Sequence, residues 1–164
     1  GHNRMGFTCL VELSTVIASN RRLRIFIADN NHFGGAGSGT LESFCRAIMM
    51  NYALQVLNLD GNKFGPEWGI KLGEIFARNN TLVQVSLRNN RFDTRAGESL
   101  LKAYKHCPYL MELALTAEEI GAPLWEEYRK LYNEKRASVD PKSLREHVEL
   151  SPSQVALLQS YHQV

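Results

Sequence analysis

Histidine and cysteine have the widest chemical range in this sequence. The histidines are His2, His32, His106, His147 and His162, and the cysteines are Cys9, Cys45 and Cys107. Metal centres and catalytic thiols place such groups at short fixed spacings, as in CxxC or HExxH. None of these residues stands at one. The residues two places after the cysteines are Val11, Ala47 and Tyr109, so there is no CxD nucleophile pattern. His106 and Cys107 are adjacent, and adjacent side chains at a helix end diverge. Three widely spaced cysteines build no disulfide framework and fit a reducing compartment. GxSxG and the EF-hand loop are missing, and the carboxylates scatter among basic residues. The reading is a non-enzyme with no catalytic residue, no metal and no cofactor.

Glycines offer one more candidate. Gly34-Gly-Ala-Gly-Ser-Gly-Thr40 follows a strand pattern and precedes a helix pattern. A phosphate cradle in that position requires GxGxxG or a GK[ST] ending, and neither is present. The stretch reads as an inserted flexible loop with Thr40 as helix N-cap. Lys plus Arg number 19 and Asp plus Glu 17, a net charge of +2, which gives no push toward nucleic acid or an anionic membrane. No apolar run reaches the length of a membrane span. The 164 residues, 44% hydrophobic and 22% charged, are enough for one ordinary globular domain.

The elements that must position any site come from a repeat. Four segments align without gaps: Leu23 to Phe33, Leu54 to Phe64, Leu82 to Phe92 and Leu110 to Ile120. Their starts lie 31, 28 and 28 residues apart, and each follows the apolar pattern LxxLxLxxNxF. Asn fills the ninth place at Asn31, Asn62 and Asn90 and gives way to Glu118. Between the segments runs a helical period. Ten residues before each start stand Leu13, Phe44, Leu72 and Leu100. Seven before stand Val16, Ala47, Ile75 and Ala103, and six before stand Ile17, Ile48, Phe76 and Tyr104. Spacings of three and four place these residues on one helix face. A strand-plus-helix unit of this kind cannot bury its apolar side alone, so neighbours must stack. An amide at the ninth place both donates and accepts, so it suits the turn out of each strand.

On these residues the chain resembles the leucine-rich repeat proteins, in particular the long-repeat, ribonuclease-inhibitor-like class, over roughly residues 6 to 132. The resemblance implies an α/β solenoid with a parallel β-sheet on the concave side and α-helices on the convex side. It sets the repeats at 1–132, the first incomplete, and a helical C-terminal cap or tail at 133–164. A helix from Leu124 to about Tyr132 is expected, then a charged stretch, Asn133 to Ser138. Asp140-Pro141 and Ser151-Pro152-Ser153-Gln154 read as later helix starts.

The third, fifth and seventh residues of each segment are expected on the concave face. The partner-binding candidates there are Ile25, Ile27, Asp29, Val56, Asn58, Asp60, Gln84, Ser86, Arg88 and Glu112. Ile25, Ile27 and Val56 would form an exposed apolar cluster. Asp29 and Asp60 would lie about 5 Å apart by strand spacing and attract a basic group. Replacing both acids by alanine is expected to weaken partner binding at a stability cost below about 1 kcal/mol. The first strand would be an open parallel edge, covered by upstream repeats or by a second copy.

The resemblance implies a cytoplasmic protein-interaction module, a scaffold or adaptor whose partner is another protein. The layout is also similar to tropomodulin-like actin-end binders. A regulatory domain of a larger receptor or of a GTPase regulator is a further reading of the same scaffold.

Overall fold

A computed structural model of the protein describes residues 7–138. The order of elements is α1 (Phe7–Ser19), β1 (Ile25–Ile27), α2 (Ser38–Met50), β2 (Val56–Asn58), α3 (Pro66–Phe76), β3 (Gln84–Ser86), α4 (Thr94–His106), β4 (Glu112–Ala114), the single turn α5 (Ala117–Ile120) and α6 (Ala122–Ser138). The strands form one parallel sheet in chain order, β1-β2-β3-β4. Each is joined to the next by a helix, the connection that parallel neighbours require. Leu57 pairs with Val85 and Val85 with Leu113, so equivalent repeat positions stand side by side.

The first, fourth and sixth places of the segments form the core. Leu54, Leu57, Leu59, Val85, Leu87 and Leu113 are fully enclosed. The helices meet them with Ile17, Phe44, Ile48, Leu72, Phe76, Leu100 and Tyr104. Val16 departs from the expected pattern and is 51% exposed. Its place in the repeat corresponds to the buried Ala47, Ile75 and Ala103, but among the described residues no helix precedes α1 to cover it. Helices pack closely where side chains are missing. A β-carbon on Gly69 would sit 2.5 Å from the methyl of Ala96, so α3 and α4 touch there with no room for more.

Two rows of hydrogen bonds run across the stack. The expected row holds the turns after the strands. The amide oxygen of Asn62 accepts the backbone N–H of Asn31 at 3.0 Å, and that of Asn90 accepts those of Asn62 and Phe64, both at 3.1 Å. The amide nitrogen of Asn62 donates to the carbonyls of Ala28 and Leu59. These turns have left-handed backbone at the eighth place, at Asn30, Gly61 and Asn89. Asn and Gly are the residues that adopt that conformation most readily.

The second row, at the opposite end of the strands, is not anticipated from the apolar pattern. Three residues before the segment starts stand Asn20, Asn51 and Asn79. The Asn51 amide oxygen accepts the N–H groups of Ala53 and Leu54, and its nitrogen donates to the carbonyls of Ile17 and Asn20. Asn79 repeats this toward Thr81, Leu82 and Ile48. Cys107 takes the fourth place, its thiol 3.5 Å from the Asn79 carbonyl.

Three local expectations change. Helix α2 starts at Ser38 with Gly37 as its N-cap, so Thr40 lies inside the helix and caps nothing. The glycine stretch is ordered around Gly34, where a β-carbon would meet the Lys63 carbonyl oxygen at 1.9 Å; only glycine lets the two chains approach so closely. Helix α6 runs through the expected boundary at 132/133 and includes the charged stretch Asn133 to Ser138. The expected helix starts at Asp140 and Ser151 lie outside the described residues.

Candidate functional site

The face of the sheet turned away from the helices carries the residues singled out from the sequence. Strand alternation sends Phe26, Leu57, Val85 and Leu113 toward the helices and their neighbours to the other side. The register then builds two rows. Ile25, Val56, Gln84 and Glu112 stand abreast, as do Ile27, Asn58, Ser86 and Ala114. Asp29, Asp60 and Arg88 follow just beyond the strand ends. All ten candidates therefore share one face.

Their accessibility is uneven. Ile25, Ile27, Asp29, Asp60, Gln84, Ser86, Arg88 and Glu112 are half-buried. Val56 is only 2% exposed and Asn58 only 7%. The expected exposed cluster of Ile25, Ile27 and Val56 does not form: Val56 lies in an inner strand, flanked by Ile25 and Gln84. Asn58 is turned to local work, its amide oxygen accepting the backbone N–H of Asp60 at 2.9 Å.

The two acids also differ from each other. Asp60 accepts from the Ser86 hydroxyl at 2.8 Å and from the backbone N–H of Arg88 at 2.7 Å. Burial raises its pKa more than these bonds lower it, and the nearby charge of Asp29 adds to the rise. Burial acts on Asp29 in the same direction, but the Asn30 amide, donating at 3.0 Å, is among the groups that bring it below the usual range. Asp60 is thus a structural acceptor between β2 and β3. Removing it would strand the Arg88 N–H and cost about 2 kcal/mol, above the limit expected from the sequence.

A cavity of about 550 Å³ occupies the C-terminal edge of this face. Arg88 and Glu112 form its sheet side, and Trp125, Tyr128, Tyr132 and Arg136 of α6 form its other wall. Spacings of three and four place the three rings on one side of α6. Trp125 and Tyr128 stack with centroids 5.0 Å apart, and Tyr128 and Tyr132 lie 5.9 Å apart. Tyr128 also meets Tyr104 of the core at 6.2 Å, which anchors the row to the last repeat. The sequence pattern places Trp125 and Tyr128 on the expected helix from Leu124 and not among the partner-binding candidates. The signal passed over was the recurrence of Arg129 and Arg136 beside three rings at helical spacing.

None of the three cysteines forms a disulfide. The Cys45 thiol is buried, which pushes its pKa up to about 12 and makes it a poor nucleophile. Among the described residues no helix is long and apolar enough to cross a membrane.

No protein-family model and no curated protein sequence matches the chain. Solved structures do. Leiomodin-1 actin-binding site 2 superposes with a TM-score of 0.69 at 20% identity, over 85% of this chain and 79% of that one. The C-terminal domain of tropomodulin from Caenorhabditis elegans superposes with a TM-score of 0.53 at 8% identity, over 84% of this chain and 98% of that one. The fold is that of these domains. Their likeness supports the tropomodulin-like layout and does not single out the ribonuclease-inhibitor-like class.

Proposed function

We propose that the chain is a non-catalytic protein-binding module whose partner is actin. The observation that carries this reading is the superposition on leiomodin-1 actin-binding site 2 across 85% of the chain. Shared fold alone hosts many functions. What supports the reading further is a sheet face that is apolar at its β1 edge, at Ile25 and Ile27, and polar toward Gln84, Arg88 and Glu112, with a cavity at that polar edge, a mixed composition that suits recognition of another protein surface. The general adaptor reading expected from the sequence remains within it: both are protein-binding modules, and actin is the more specific partner. The reading places the chain inside the cell, at the cytoskeleton, with α6 closing the last repeat.

On this reading the half-buried residues toward the cavity, Gln84, Arg88 and Glu112, contact the partner, while Val56, Asn58 and Asp60 hold the face in shape. Co-sedimentation with filamentous actin tests it. The chain is expected to pellet with filaments in a saturable manner, and Gln84→Ala with Glu112→Ala should reduce the bound fraction of chain that circular dichroism shows to be folded. A chain that stays in the supernatant at every filament concentration, and that leaves polymerisation unchanged, rules the actin reading out.

A further inference from the structure

We propose that the cavity between α6 and the open face receives an acidic peptide segment of the partner protein, with an aromatic residue set between its carboxylates. The inference rests on the protein-binding reading but not on the partner being actin.

Charge argues first. Three guanidinium groups line the cavity, those of Arg88, Arg129 and Arg136, against the single carboxylate of Glu112. Arg129 is engaged with Glu126 at 3.2 Å, on the exposed side of α6. Arg136 donates to the Tyr132 hydroxyl at 2.8 Å and lies over that ring. Arg88 differs from both. It is half-buried, and among the described residues its guanidinium makes no hydrogen bond and no ion pair. A guanidinium has five donors in a planar fork that matches a carboxylate. Holding it partly out of water with those donors unspent is costly unless an anion arrives.

The shape of the cavity matches its charge. Trp125 and Tyr132 are half-buried and line the cavity beside these charges. Their rings offer a flat apolar wall on which another ring stacks. The volume lies in the range of ligand pockets, yet the cavity is open along one side, so a peptide can enter and leave it as a chain. Acid plus ring, in one flexible segment, satisfies both walls at once.

The probe is a fluorescein-labelled six-residue peptide of Asp and Glu around one Phe. Its control has Lys in place of every acid. Anisotropy on the full chain should show saturable binding of the acidic peptide and none of the control. Emission of Trp125 should shift on binding, because the other tryptophan, Trp68, is buried in the core. Arg88→Gln is expected to weaken the peptide by about tenfold, the loss of one desolvated charge-assisted pair. If Arg88→Gln lowers the unfolding temperature, the salt dependence of the unaltered chain decides instead: affinity must fall as salt rises. No binding at millimolar peptide, equal binding of the Lys peptide, affinity insensitive to both Arg88→Gln and salt, or displacement of the peptide by inorganic phosphate each overturns the proposal. Actin co-sedimentation is read separately, so failure of one leaves the other standing.

Discussion

At the C-terminal end of the stack, two charged side chains continue the rows that asparagine holds inside. Lys135 of α6 donates to the carbonyls of Cys107 at 2.6 Å and Leu110 at 2.8 Å, the same kind of acceptors that Asn79 and Asn51 serve two and three repeats earlier. Its ammonium also lies 4.5 Å from the Tyr104 ring. Glu119, one place beyond the expected ladder position, brings its carboxylate near the backbone N–H groups of Asn90 and Phe92 but takes over only in part: one oxygen accepts from Thr116, and Oε1 is buried without a hydrogen-bond partner. At the N-terminal end of the described residues, the corresponding groups have no such successor. The amide oxygen of Asn31 is buried without a hydrogen-bond partner, and Val16 stands open on α1. A ladder residue is therefore worth what its neighbours let it do. Inside, one amide serves two repeats; at an end it serves one, unless another residue type takes over the missing half.

That comparison predicts a graded series. Asn62→Ala should be the most damaging, because it leaves the Asn31 N–H and the Ala28 carbonyl buried and unpaired. A loss of about 3 kcal/mol is expected in urea denaturation, from two stranded groups. Lys135→Met keeps the length of the stem and removes the charge, so the Cys107 and Leu110 carbonyls lose their donor. The expected loss is about 2 kcal/mol, tempered because the ammonium itself is held against burial, which lowers its pKa. Asn31→Ala removes only a bond to the Asp29 carbonyl at 3.0 Å and discards an unpartnered oxygen. About 1 kcal/mol is expected. Equal losses for Asn31→Ala and Asn62→Ala would remove the distinction between end and interior.

The strands, the helix faces and the first amide row were legible because each repeats in register, and a repeat makes its own control. The second row escaped attention although it recurs just as regularly. Asn20, Asn51 and Asn79 look like ordinary loop residues until the carbonyls of the preceding helix are placed beside them. Glu119 was missed because the ladder shifts by one residue there, where α5 replaces the turn and the eighth place, Ala117, is helical rather than left-handed. The charged end of α6 has no apolar stripe to mark it as helix. Its residues are good helix formers, and Lys135 gains its reason for being there only from the stacked repeat beneath it. The accessibility of Val56 and Asn58 depends on what flanks an inner strand, which a strand pattern does not contain.

The smallest effect tests the other terminal residue, Glu119. Burial raises its carboxyl pKa above the ordinary 4.5, against the Thr116 hydroxyl and the nearby N–H groups, which lower it. A carboxyl whose folded pKa is raised favours folding in its protonated form. That contribution is complete below pH 4.5 and fades as pH rises through the higher folded value. Asp60, raised for the same reason, moves stability in the same direction, and Asp29, lowered, moves it in the opposite one. The total curve therefore mixes the three, and only a difference isolates Glu119. Glu119→Gln removes the charge and keeps one acceptor oxygen for the N–H groups, while its NH2 can donate to the Thr116 hydroxyl, which accepts as well as donates. The variant should match the unaltered chain at low pH and exceed it by less than about 1 kcal/mol at neutral pH. The gap should open above pH 4.5. Parallel stability curves across that range would mean that the ionised carboxylate is a full replacement for the ladder amide, and that the C-terminal end of the turn row is as well satisfied as its interior.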